Sequence, residues 1–254
     1  MDIESLRGAS AAQPVAQQST TATIEEYLET IYNISMEGET VIGARLAAKF
    51  RVAAPTVTET LKRMVRDGFV EMDGKRQIAL TAQGVERAEA VLRRHRLTER
   101  FLVDMLGMQW HQVHEEACRL EHYISGAVEA RVLASLQQPT TCPHGNPIPG
   151  AVPNARTYLR DLGAQRLLLT DPGKPYTIVC VSEVVEDEEE LISYLHDRGL
   201  TPGSVVTLAV EPPTRDAGAA ADAPVQILAG DRSVSVSAHA AYALWVRPST
   251  AGVE

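Results

Sequence analysis

No run of about eighteen consecutive apolar residues occurs in this 254-residue chain, so no membrane-spanning helix is expected. Residues 1–22 are polar and lack the apolar centre of a signal peptide. They are expected to form a disordered tail on a cytoplasmic protein with no membrane partner. Cysteine is sparse: Cys118, Cys142 and Cys180 are odd in number and scattered, which excludes a disulfide framework. The HExxH pattern of helix-borne zinc hydrolases is absent, and no comparable catalytic motif replaces it. Positive charge is also in deficit, with 24 Lys/Arg against 33 Asp/Glu.

That deficit is unevenly spread. Residues 45–100 hold 13 Lys/Arg against 7 Asp/Glu, a net of +6, whereas residues 101–254 hold 10 against 19, a net of -9. A locally basic segment is the footprint nucleic-acid binding requires, and the acidic remainder is screened beyond a Debye length of about 8–10 Å.

The chain leading into and through the basic segment has a recognisable order. Ile24, Leu28, Ile31 and Ile34 recur at helical spacing, and a short helix is expected over 44–50. In APTVTETLKRMVRDGFV, Pro55 suits a helix start, Val57, Leu61, Met64 and Val65 form an apolar stripe, and Gly68 ends it. Two short strands around Asp73 and Gly74 then read as a hairpin. Three helices and a hairpin make a winged helix-turn-helix. Pro55, Thr56, Thr58, Lys62 and Arg63 on its third helix, and Lys75 and Arg76 at the wing tip, are the expected DNA-facing residues. Glu59 shares that face, where a carboxylate repels phosphate unless it accepts from a cytosine amino group or pairs with a cation.

Two longer helices are expected next, over 82–106 and 112–136, with more apolar surface than one winged helix covers, so a homodimer is expected. Residues 139–165 are rich in Pro, Gly and Asn and read as a linker. Short β-type runs interrupted by one helix over 187–198 then indicate a small β-barrel. The stretch PPTRDAGAAADAP is expected to form a mobile hairpin loop.

The chemistry gathers on the helices. His114, Cys118, Glu121 and His122 stand at i, i+4, i+7 and i+8 in VHEEACRLEHYIS, on one helical face. His95 and Glu99 are an i, i+4 pair, and Glu26 and Glu29 an i, i+3 pair. Each set alone fits a solvated polar face; three successive helices carrying ligand-type residues fit a divalent-metal site better.

APTVTETLKRMVRDGFV, RRHRLTERFL, VHEEACRLEHYIS and HGNPIPG, in that order and spacing, resemble the diphtheria-toxin-repressor family of iron- and manganese-dependent regulators over roughly residues 23–248. The resemblance implies an α+β chain. A winged-helix DNA-binding domain would span 23–90, a helical metal-binding and dimerisation domain 91–138, the linker 139–165 and an SH3-like β-barrel 166–248. It implies one metal site of His95, Glu99 and His114, assisted by Glu183 and Glu186, and a second of Glu26, Cys118, Glu121 and His122, with Glu29 at a manganese-type position. Oxygen and nitrogen donors dominate, which favours Mn(II), with Fe(II) close behind; Co(II), Ni(II) and Zn(II) are expected to bind in vitro. The implied function is metal-dependent repression at double-stranded operator DNA, the alternatives being a metal-independent winged-helix regulator and, far less favoured, a metallohydrolase.

Overall fold

The apolar stripe of Ile24, Leu28, Ile31 and Ile34 is buried along helix α1 (Ala22–Met36) in the computed structural model, which describes residues 21–185, 188–212 and 223–249. Nearly all of the expected N-terminal tail, most of the 212–224 loop and Glu186 lie outside the described residues. Helix α2 (Gly43–Phe50) ends at Arg51 in the left-handed region, and α3 (Ala54–Arg66) begins with Pro55 in its first turn. Leu46, Val57, Leu61 and Met64 close the core beneath them. Strands β1 (Val70–Met72) and β2 (Ile78–Leu80) pair antiparallel as the wing. At its tip, Asp73 Oδ1 accepts from the backbone N–H groups of Lys75 and Gln77, and Arg76 takes the left-handed conformation.

Helix α4 (Ala82–Asp104) is capped by Thr81, whose hydroxyl accepts from the Gly84 N–H. Its first half packs Ala88 and Leu92 into the winged-helix core; its second half carries His95 and Glu99. The helix expected over 112–136 is not continuous. It divides into α5 (Val113–Leu120), a 3₁₀ turn (Glu121–Tyr123) and α6 (Gly126–Ser135). The chain turns extended at Ile124, and the Ser125 hydroxyl caps α6. Met105, Leu106, Leu120, Tyr123 and Val128 along this region remain exposed, Tyr123 by 85%.

The 139–165 stretch is no loose linker. Cys142, His144, Asn146, Ile148, Ala155 and Leu159 are buried, and a single-turn helix α7 (Tyr158–Asp161) forms within it. Gly145 explains the docking: its φ is +87°, and a Cβ there would stand 2.0 Å from the Val179 carbonyl oxygen. Backbone and side-chain hydrogen bonds then tie His144 and Asn146 to Val181.

The C-terminal SH3-like domain is a six-stranded antiparallel sheet ordered β3 (Gln165–Arg166), β8 (Leu244–Pro248), β4 (Tyr176–Val181), β5 (Val205–Leu208), β6 (Pro224–Ala229) and β7 (Arg232–Ser237). Helices α8 (Glu188–Asp197) and α9 (Ala238–Ala243) flank it over a core including Ile178, Val206, Ile227 and Val246. This domain is bolted to the N-terminal one by buried polar joints. Arg166 donates to Glu37 and Glu39 at the end of α1 while lying over the Tyr242 and Trp245 rings. Arg96, fully buried on α4, bonds both Asn33 and Glu183. Lys49 of α2 reaches the Glu183 and Val185 carbonyls and the Glu188 carboxylate.

Candidate metal centre and nucleic-acid interface

Helix periodicity sets two ligand-type pairs side by side: His95 and Glu99 on α4, His114 and Cys118 on α5. The packing of α4 on α5 brings the pairs together. Glu99 Oε1 lies 3.2 Å from His95 Nε2, 3.4 Å from His114 Nδ1 and 3.0 Å from His144 Nδ1. Cys118 Sγ lies 3.7 Å from His114 Nε2. Glu121 Oε2 lies 2.5 Å from His95 Nδ1.

Three groups of donor atoms result, each with all members within 4.8 Å of one another: His95, His114 and Cys118; Glu29, His95 and Glu121; Glu99, Cys142 and His144. The first two share His95 and open on a cleft of about 250 Å³ that Glu26 and Glu188 also line. The third is wholly buried.

The arrangement differs from the division implied by resemblance. His95, Glu99 and His114 do meet. Cys118 groups with His95 and His114, and Glu121 with His95 and Glu29. His122 turns to Glu25, with its Nδ1 2.8 Å from the carboxylate, and stays 3.3 Å from Glu121. Glu26 lines the cleft but joins none of the three groups. Glu183 has one oxygen taken by Arg96 and Asn33, and its Oε1 is buried without a hydrogen bond. Sequence reasoning missed Cys142, His144 and Glu188. Glu188 Oε1 stands 3.6 Å from His114 Nδ1 while its Oε2 accepts from Lys49. His144 was in view within HGNPIPG, but no local spacing links it to Glu99.

The electrostatics are those of charges crowded out of water. Burial alone depresses an imidazole, but Glu99 and Glu121 hold His95 well above its ordinary range, and Glu188 does the same for His114. Burial raises Glu99, yet His144 and His95 outweigh it and keep the carboxyl well below its usual range. Glu29 is pushed well up by burial and by the neighbouring Glu121. Burial raises Glu26 as well. Against the burial that raises it, hydrogen bonds from His114 and His95 bring the Cys118 thiol down to about 7. Ten buried side-chain atoms among the described residues lack a hydrogen-bond partner, and five of them belong to the three donor groups or to Glu188 beside them: Glu29 Oε1, Glu99 Oε2, His114 Nδ1, His144 Nδ1 and Glu188 Oε1. Orphaned polar atoms at this density are costly, and all five are metal-donor atoms.

On the DNA-facing side, Pro55, Thr56, Thr58, Lys62, Arg63, Lys75 and Arg76 are all exposed. Lys62 is paired with Glu59 at 2.7 Å, and Arg63 approaches Asp67 at 3.6 Å. Thr58 donates its hydroxyl proton back to the Ala54 carbonyl, so it faces outward as an acceptor and a methyl group.

Comparison with known proteins places each part. Residues 19–78 match the family model "Iron dependent repressor, N-terminal DNA binding domain", residues 81–150 "Iron dependent repressor, metal binding and dimerisation domain", and residues 165–248 the FeoA domain. The chain is 42% identical over 203 residues to the iron-dependent repressor IdeR of Mycobacterium leprae, covering 75% of this chain and 85% of that one. It is 37% identical over 202 residues to the diphtheria toxin repressor of Corynebacterium jeikeium, covering 73% and 84%. A solved manganese-dependent transcriptional repressor in complex with manganese superposes with a TM-score of 0.71 at 31% identity, covering 89% of this chain and 99% of that one.

Proposed function

Since this chain belongs to the iron-dependent repressor family, we propose that its His/Glu/Cys clusters are the sensing centre that sets the pose of its winged helix. The protein is a metal-activated, DNA-binding repressor that dimerises through its helical domain, and not an enzyme. The observation that carries the residue-level reading is the convergence of five orphaned donor atoms from α1, α4, α5, α8 and the 142–148 loop.

His95, Glu99, His114 and Cys118, with Glu188 from the C-terminal domain, would hold one ion. Glu29 and Glu121, with Glu26 and His122 beside them, would complete a neighbouring position. Glu99, Cys142 and His144 form a third grouping. Glu183 keeps one oxygen for a supporting role, and Glu186 stays a proposal from resemblance. The donors are mostly oxygen and nitrogen, which suits Mn(II) or Fe(II); Co(II), Ni(II) and Zn(II) bind such sets in vitro. A bound divalent cation supplies positive charge that the carboxylates otherwise take from protons and arginines.

The rest follows from the chain itself. Glu26 and Glu29 ride on α1 of the DNA-binding domain, while Glu121 belongs to the helical domain. Burial and repulsion from Glu121 push the Glu29 carboxyl well above its usual range. Shared positive charge would offset that repulsion and draw α1 to the helical domain, and with it α3 and the wing. The exposed Met105, Leu106, Leu120, Tyr123 and Val128 are proposed as the dimer face, which would fix two such units relative to each other. Coupling of this kind is worth only the difference in metal affinity between the two arrangements. The target genes would be those of metal uptake, and the compartment the cytoplasm, where the chromosome lies.

Fluorescence anisotropy on operator-like duplexes, with and without Mn(II) or Fe(II), tests this. Wild type is expected to gain affinity at least tenfold with metal, and Glu99→Gln to lose that gain while remaining dimeric. Equal binding with and without metal would support a metal-independent regulator.

A further inference from the structure

One charged side chain on the DNA-facing helix has the wrong sign for phosphate. Helix α3 buries Val57, Leu61 and Met64. At about 100° per residue, Glu59 falls within about 15° of the direction opposite that buried stripe, and Lys62 and Arg63 fall about 50° to either side of it. When such a helix enters a major groove, the central line faces the base edges and the flanks face the phosphate walls, and its N-terminal turns go deepest. Glu59 is on the central line in the second turn of α3. Its side chain is 72% exposed, and Lys62 Nζ sits 2.7 Å from its Oε1. Neighbouring hydroxyls are committed elsewhere: Thr58 donates to the Ala54 carbonyl and Thr60 to the Thr56 carbonyl.

A carboxylate can only accept hydrogen bonds. In the major groove guanine offers two acceptors, thymine an acceptor and a methyl group, and adenine a donor beside an acceptor. Cytosine alone offers an amino donor with no adjoining acceptor of its own. We propose that Glu59 is a specificity-determining residue that accepts from a cytosine amino group in each half of the operator, with Lys62 holding the carboxylate and offsetting its charge. The inference rests on the DNA-binding reading of α3.

The test is selection from a randomised duplex library by the full-length, Mn(II)-loaded protein, comparing wild type, Glu59→Ala and Glu59→Gln. Exposure of the side chain keeps both variants clear of the core. Wild type is expected to enrich cytosine at one position in each half-site. Glu59→Gln should shift that position to adenine, whose donor–acceptor edge suits an amide, and Glu59→Ala should lose preference there alone. Replacing that cytosine by 2-pyrimidinone, which lacks only the amino group, should weaken wild type by roughly tenfold or more and leave Glu59→Ala unchanged. If Glu59→Ala selects the same base at every position, or 2-pyrimidinone costs wild type nothing, the proposal is wrong. A metal-loaded wild type that binds no duplex at all would instead remove the DNA-binding reading beneath it.

Discussion

Glu99 gathers three imidazoles around one buried carboxylate, and that single residue explains much of the titration behaviour of the centre. Its negative charge helps hold His95 and His144 above the ordinary 6.5 of an imidazole, and Glu188 lifts His114 in the same direction. Metal ligation requires the neutral imidazole, so protons must leave when metal enters. The sign is therefore fixed: apparent metal affinity should climb as pH rises above about 6.5, and flatten once the imidazoles are neutral in the metal-free protein. Glu29, pushed well up by burial and Glu121, shifts proton release in the same direction. Calorimetric titration with Mn(II) in buffers of different ionisation enthalpy should show net proton release at pH 7 and less at pH 9; heats independent of the buffer would contradict the assignment. The pairs His95/Glu99 and His114/Cys118 were legible in the sequence because a helix brings i and i+4 together whatever else the fold does. Cys142, His144 and Glu188 were not, because what brings them in is the close approach of Gly145 to β4 and the ion pair that Lys49 of α2 makes with Glu188 at the start of α8.

At the level of elements, the joints between domains carry the argument. Arg166 of β3 and Glu37 at the end of α1 are both nearly inaccessible to water, and the Ser182 hydroxyl also donates to Glu37. Burial still raises Glu37 against the pull of Arg166, which marks a pair whose desolvation is incompletely offset. Arg166→Met would strand the carboxyl and is expected to lower the free energy of unfolding by about 3–5 kcal/mol. Arg166→Met combined with Glu37→Gln should recover most of that loss. Urea unfolding of the four proteins of this cycle reads the coupling directly, and additive effects would mean that the two residues do not act as a joint. None of this was visible in periodicity, since Arg166 and Glu37 are 129 residues apart. The same limit explains two misread elements. Polar turns and prolines over 139–165 suggest a linker when read locally, but the segment buries its own apolar and polar residues against both neighbouring domains. The donor run in VHEEACRLEHYIS suggests one straight helix, but the chain leaves it after Leu120 through a 3₁₀ turn, and this turn redirects Glu121 to His95 and His122 to Glu25. By contrast α1, α3 and the wing were readable, because each is set by local signals: an apolar stripe, Pro55, and turn residues between short strands.

For the whole molecule, the uneven charge and the two-fold assembly act together. The +6 segment, residues 45–100, contains α3 and the wing but not α1, and the -9 segment contains the C-terminal sheet, so a duplex is steered toward α3 and the wing and away from the C-terminal domain. Dimerisation doubles every contact. Each phosphate neutralised by a Lys or Arg contributes about 0.9 to the slope of log Kobs against log salt, so a residue used in both halves of a dimer counts about twice that. Arg76 stands exposed at the wing tip in a left-handed conformation, held there by a turn in which Asp73 accepts from Lys75 and Gln77. Arg76→Ala should therefore lower the slope by about 1.8 and weaken binding to all sequences alike, since phosphate contacts carry no base information. Anisotropy titrations from 50 to 300 mM salt, with Mn(II) held saturating, would measure it. A drop of only about 0.9 would mean that one wing of the dimer touches the backbone. No change would place both wings off the phosphates and leave α3 to carry the contact alone.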